Sequence, residues 1–198
     1  MSSSQSNKTS WQRIARRIRV PLGFVLAVAL ILLARPSWQS LLLSLPLTAA
    51  GLWLRGYAAG YVKKNAELTR TGPYAHTRNP LYLGSILIAA GFAIAAGRWQ
   101  MVVLLVGMFL AIYWPTILSE ETFLRATFPG FDDYARQVPR LGWRLTRPHF
   151  PDVQLNSGGF DPGRYRHHRE YNALIGAAAL YAVLAIRMWV GSSAHWRV

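Results

Sequence analysis

Apolar residues in this chain fall into blocks long enough to cross a bilayer as helix, and basic segments separate the blocks. Runs near twenty residues match the hydrocarbon thickness of a membrane. They occur here at about 20–34, 41–62, 81–97, 99–119 and 171–190. Over half the residues (52%) are hydrophobic and only 15% are charged, a balance foreign to a water-soluble domain of 198 residues. The expected fold is therefore all-α: a polytopic membrane protein with five transmembrane helices and a helix–loop segment over 120–170 on one face. Residues 1–19 read as a basic tail, disordered over its Ser/Asn/Gln-rich first nine residues, and 20–198 as a single membrane-embedded domain.

Charge placement orients the bundle. Lys and Arg number five before the first block, four between the second and third, and eight from Arg125 to Arg169. The alternate side carries only Arg35, Arg98, Arg187 and Arg197. Such a bias places the N-terminus and the 120–170 segment in the cytoplasm and the C-terminus outside. The formal net charge of +14 is thus spent on topology, and no helix offers the basic face that nucleic acid requires. The basic stretch ahead of 20–34 has the shape of a signal peptide, but Arg35-Pro36 replaces a small-residue cleavage site. A retained first span is expected, with Trp11 and Trp38 as interfacial anchors. Cysteine is absent, which excludes disulfides, thiolate metal sites and a cysteine nucleophile.

Two polar constellations border the blocks. The first runs from Lys63 to Gly84 and ends in Arg78-Asn79-Pro80-Leu81-Tyr82-Leu83-Gly84. Asn79-Pro80 opens a helix, with Asn79 as its cap and Pro80 at the first helical position. A capping Asn can still present its amide to a ligand. Tyr82 is equally readable as an interfacial aromatic, and Tyr74 follows a Gly72-Pro73 turn. The second is Glu120-Glu121, where the fourth block becomes polar. This helix should continue through SEETFLRATF, stop at Pro129-Gly130, and be followed by a short helix over 132–137. A plain role for Glu121 is an ion pair with Arg125 one turn on. Arg55, inside the second block, must pair, line a polar cavity or snorkel; a membrane-face glutamate is one candidate partner. His167 and His168 have no ligand spacing for a metal, and no metal is expected. Walker, Rossmann, nucleophile-elbow and zincin motifs are all missing.

These two constellations resemble the isoprenylcysteine carboxyl methyltransferase and phospholipid methyltransferase superfamily of membrane proteins. Gly72-Pro73-Tyr74 with Arg78-Asn79-Pro80-Leu81-Tyr82-Leu83-Gly84 is similar to one family motif. Glu120-Glu121-x-x-Leu124-x-x-x-Phe128, then Tyr134 and Val138-Pro139-Arg140, is similar to the other. Together they cover about Arg55 to Arg144. The resemblance implies S-adenosylmethionine as cofactor, held in a cytoplasmic-face pocket lined by Leu68, Thr69, Tyr74, Asn79, Pro80 and Tyr82. It implies Glu121 and Glu120 as the catalytic and closing acids, and Arg55 and Arg140 as the cations facing an apolar or lipid-like acceptor. The activity implied is methyl transfer in the inner membrane. Small-thiol or phospholipid-amine methylation, and a non-catalytic interaction role, stay open beside it. Many relatives carry His where this chain has Asn79. The substrate-carboxylate Arg of the eukaryotic carboxyl methyltransferases is replaced by Thr116 and Ile117, which argues against a prenylcysteine acceptor.

Overall fold

A computed structural model describes residues 10–63, 67–146, 148, 150 and 159–194, with side chains described from residue 21 to residue 190. The expected disorder of residues 1–9, the side chain of Trp11 and the loop residues 64–66 lie outside these bounds. Every regular element among the described residues is helical. In chain order they are α1 (Ser10–Leu33), α2 (Trp38–Tyr61), a 3₁₀ turn (Gly72–Ala75), α3 (Pro80–Ala96) and α4 (Trp99–Met108). A π-helical turn (Phe109–Tyr113), α5 (Trp114–Thr127), α6 (Phe131–Gln137), α7 (Pro162–His167) and α8 (Tyr171–Ala194) follow.

The boundaries differ from the expectation at both ends of the chain. The basic segment before the first apolar block is already helical from Ser10, because Trp11, Ile14 and Ile18 recur at helical spacing through the arginines. The final helix runs four residues past the expected 190. In the polar segment, α5 ends at Thr127 and α6 occupies Phe131–Gln137, close to the expected positions; α7 was not foreseen. By length and composition, Trp99–Thr127 and Tyr171–Val190 can each cross a membrane, while Pro21–Leu33 and Pro80–Ala96 are shorter apolar helices. Of the 18 most apolar consecutive residues in each, only 22% and 11% are buried. Their apolar side chains, Val103, Val106 and Leu110 on one and Ile175, Ile186 and Trp189 on the other, therefore point outward. The run Trp99–Thr127 has 29 residues and is roughly 43 Å long, against about 30 Å of hydrocarbon.

The α2–α3 pair is the spine. Ser44, Thr48, Gly51, Arg55 and Ala58 repeat at helical spacing on α2 and face Gly84, Ile88 and Gly91 on α3. A Cβ on Gly84 would stand 2.6 Å from Arg55 Cγ and 2.8 Å from the Gly51 carbonyl, so only glycine lets the helices approach this closely. At the C-terminal end of α3, Gly97 caps the helix in the left-handed conformation (φ 62°). The Arg35 amide donates to the Ala96 carbonyl at 2.9 Å. Leu30, Leu41, Phe92, Ala96, Met101 and Leu184 fill the apolar core there. A separate small core of Phe131, Tyr134, Val138 and Phe150 supports the polar segment.

Candidate functional site

The residues from Tyr74 to Asn79 are held by the stretch that follows α6. The buried Tyr134 hydroxyl donates to the Tyr74 carbonyl at 2.7 Å. The Arg78 amide donates to the Pro139 carbonyl and the Arg144 amide to the His76 carbonyl, both at 2.9 Å. Arg144 also reaches the Gln137 carbonyl through Nη1, and the His76 ring stacks on Trp143 at 4.8 Å. Val138-Pro139-Arg140 is thus a backbone clamp on the turn that opens α3.

Between this clamped turn and the start of α5 lies a cavity of about 600 Å³, within the range of small-molecule and cofactor sites. Leu68, Thr69, Tyr74, Asn79, Pro80 and Tyr82 all line it, and Glu120, Thr116 and Phe123 close the far wall. The two constellations, some forty residues apart in sequence, therefore meet over one hollow. Tyr82 donates from its hydroxyl to Glu120 Oε1 at 3.0 Å and packs edge-on against Tyr113 at 5.8 Å. That tyrosine ends the π-helical turn, whose extra residue per turn shifts the register of the helix just before the site. Burial, with the Glu120 and Glu170 carboxylates nearby, pushes the Tyr74 phenol well above its ordinary value, and burial does the same to Tyr134. Both remain protonated donors at physiological pH.

The neighbouring acids have different surroundings. Glu121 is 4% exposed and lies behind the cavity wall. It accepts from Arg140 Nε and Nη2 at 3.0 and 2.8 Å and from the Asn79 amide at 3.4 Å, and pairs with Arg78 at 3.4 Å. The Arg125 pairing suggested for it does not form: Arg125 turns to Asp132 at 2.7 Å, since Glu121 faces inward at this point of the helix. Hydrogen bonds to Glu121 raise the Arg140 guanidinium, whereas burial holds Arg78 below its ordinary value against the pull of Glu121. Asn79 occupies the cap position of α3, with Pro80 following it, but makes no side-chain cap hydrogen bond. Its amide instead donates to the Arg140 carbonyl at 3.1 Å and to Glu121.

Arg55 does not join either membrane-face glutamate. It forms a two-pronged pair with Glu170, Nε to Oε2 and Nη2 to Oε1 at 3.0 Å each, and donates to Ser85 Oγ at 2.5 Å. The chain has eight acidic residues, and Glu170 alone opens the last apolar block. Enumerating the acids against a mid-helix arginine would have put Glu170 among the candidates without choosing it. Also missed were Lys63 and Glu67, paired at 2.8 Å on the cavity wall, and Thr116, Phe123 and Tyr134. The acid–base spacing of Lys63 and Glu67 was the available signal. Neither Arg55 nor Arg140 lines the cavity; Arg140 borders a separate open depression with Arg78, Arg125 and Arg136. Among the described residues no cluster of three metal-ligating side chains occurs.

Comparison with known proteins places the chain. The phospholipid methyltransferase family matches residues 25–130, a stretch that contains the spine, the turn opening α3 and both glutamates. The chain belongs to this family. It is accordingly a membrane methyltransferase-family protein with transmembrane helices. Among curated proteins it is 34% identical over 137 residues to the cobalt-zinc-cadmium resistance protein CzcN of Cupriavidus metallidurans, covering 65% of this chain and 62% of that one. It is 35% identical over 99 residues to the nickel-cobalt-cadmium resistance protein NccN of Alcaligenes xylosoxydans xylosoxydans, covering 50% of this chain and 46% of that one. The matched stretches thus span less than two thirds of these relatives. No solved structure shows a significant match.

Proposed function

We propose that this chain transfers the methyl group of S-adenosylmethionine to an apolar or lipid-like acceptor at the cytoplasmic face of the inner membrane. In this reading the five apolar blocks are five spans, with the N-terminus inside. The supporting observation is the cavity itself, which brings the turn opening α3 against the acidic middle of α5 within a family of methyltransferases.

The lining suits the cofactor. Tyr74 and Tyr82 offer aromatic faces and Glu120 a carboxylate to a sulfonium cation. The Lys63–Glu67 pair at the wall complements a zwitterionic amino-acid end. When bound, S-adenosylmethionine supplies a methyl carbon on a positively charged sulfur leaving group. The protein then has to align an acceptor lone pair with that carbon and keep water away. Of the two carboxylates lining the cavity, Glu67 is paired with Lys63, and Glu120 is the one assigned to take the proton that an N–H or O–H acceptor releases. The Tyr82 hydroxyl fixes its orientation. Glu121, held by two arginines behind the wall, positions Asn79 and Arg140 and does not act as a base in this reading.

The test is to incubate membranes containing the protein with methyl-labelled S-adenosylmethionine and analyse the lipid extract. Label in organic-soluble product, absent from membranes lacking the protein, is expected. No label in any fraction, with folded protein present, overturns the proposal.

A further inference from the structure

On the far side of Arg78 from the cofactor cavity lies an open depression of about 460 Å³, lined by Arg78, Arg125, Arg136 and Arg140 with Asp132 at its edge. We propose that this depression is a binding site for a phosphate group, and that its occupant is the headgroup of an anionic phospholipid. Arg78 borders both hollows, but Arg125, Arg136 and Arg140 line only the depression, which sets it apart from the acceptor position.

Four guanidiniums gather here around three carboxylates. Glu121 beneath them is shared by Arg78 and Arg140. Asp132 and Asp133 pair with Arg125 and Arg136 at 2.7 and 2.8 Å, in exposed positions where such pairs are weak and exchangeable. Each guanidinium has five N–H groups, and each pair engages one edge of it. Arg78 Nε is buried and makes no hydrogen bond. The planes are held in place by rings: Arg78 and Arg125 both lie over Phe131, at 6.0 and 5.4 Å, and Arg140 lies over Trp114 at 5.3 Å. Burial lowers Arg78 most, Glu121 pulls it back up, and Arg140 and Arg125 add smaller lowering contributions. A phosphate accepts bidentate hydrogen bonds from such planar donors.

Depth selects the source. The helix Trp99–Thr127 exceeds the hydrocarbon by roughly 13 Å, so Arg125 in its last turn lies at the headgroup layer. This step rests on the inner-face placement proposed above. Anionic headgroups are enriched on that face and attract basic side chains held near the surface.

The experiment is native mass spectrometry of the detergent-purified full chain titrated with phosphatidylglycerol or phosphatidylcholine. Wild type should retain one phosphatidylglycerol at least about tenfold more tightly than phosphatidylcholine. The double variant Arg125→Ala/Arg136→Ala should lose that preference. Arg166→Ala/Arg169→Ala removes the same charge from exposed positions beside α7 and should leave the preference intact. Displacement by millimolar inorganic phosphate would support the phosphate site while assigning it a soluble occupant; no displacement supports the lipid. Equal retention of the two lipids, or equal loss in both double variants, overturns the proposal. Binding of S-adenosylhomocysteine, measured on the same preparations, should be unchanged by Arg125→Ala/Arg136→Ala. Its absence in wild type would count against the proposed function and leave the phosphate result readable.

Discussion

The two halves of the α2–α3 spine are built from the same close approach but end in opposite chemistry. Outward from Gly51, the polar groups satisfy one another. Ser44 Oγ and Thr48 Oγ1 each lie 2.8 Å from the Tyr181 hydroxyl on α8, and Ser44 returns a bond to the Leu41 carbonyl. None of these groups lines the 600 Å³ cavity. Inward from Gly51, the spine carries Arg55, Ser85, Tyr82 and Asn79, and the partners come from distant segments: Glu170, Glu120 and Glu121. There Tyr82, Asn79 and Glu120 line a hollow. Under the proposed function the outer half serves stability and the inner half binding, and each can be disturbed separately.

The largest effect belongs to the inner half. Glu120→Gln should lower the methyl-transfer rate by about 10²–10⁴-fold with an unchanged melting profile; a rate within a few-fold of wild type would remove Glu120 from the chemistry. Glu121→Gln sharpens the comparison between the two acids. It leaves Arg78 and Arg140 without their shared counter-charge, so its loss of activity should come with a lower melting temperature.

Gly84→Ala tests the spine itself. The added methyl meets the Gly51 carbonyl and Arg55 Cγ, so the helices must part, at a cost of about 1–3 kcal/mol by thermal unfolding in detergent. Gly107→Ala, where a Cβ meets nothing within 4 Å, should be neutral or slightly stabilising. Equal melting of the two variants would mean that close approach is not what the glycine provides.

Tyr134→Phe strands the Tyr74 carbonyl in a buried position and should cost about 1–3 kcal/mol while weakening cofactor binding. The intact hydroxyls of Tyr74 and Tyr134 also set an alkaline limit. Their folded values lie above the ordinary 10, so the native state holds these protons more firmly than the unfolded chain. Their contribution is therefore complete below pH 10 and lost progressively above it. Smallest of all, Thr48→Val in the outer knot should cost about 1 kcal/mol and leave the transfer rate unchanged. A changed rate would break the division between the halves.

Much of the inner half was legible in the chain. Asn79-Pro80 announced the start of α3, and Pro129-Gly130 the end of α5, because these residues act locally. Tyr74, Tyr82 and Glu120 were found by motif and share one cavity. What stayed hidden depended on side-chain direction. Sequence could not say which of two adjacent glutamates faces the hollow, since one residue of helix turns the side chain by about 100°. It could not pair Arg55 with Glu170, a contact 115 residues away. Nor could it show that Arg140 is a backbone clamp and an arm on Glu121, with its guanidinium on the other side of the wall from the cavity.

The most direct measurement is calorimetric titration of the purified protein with S-adenosylhomocysteine, alongside a Leu68→Trp variant that fills the cavity from its wall. A single site in wild type, lost in Leu68→Trp at an unchanged melting temperature, is the expected result. No binding by folded wild type, or equal binding by both proteins, would contradict a cofactor site between the turn opening α3 and the acidic middle of α5.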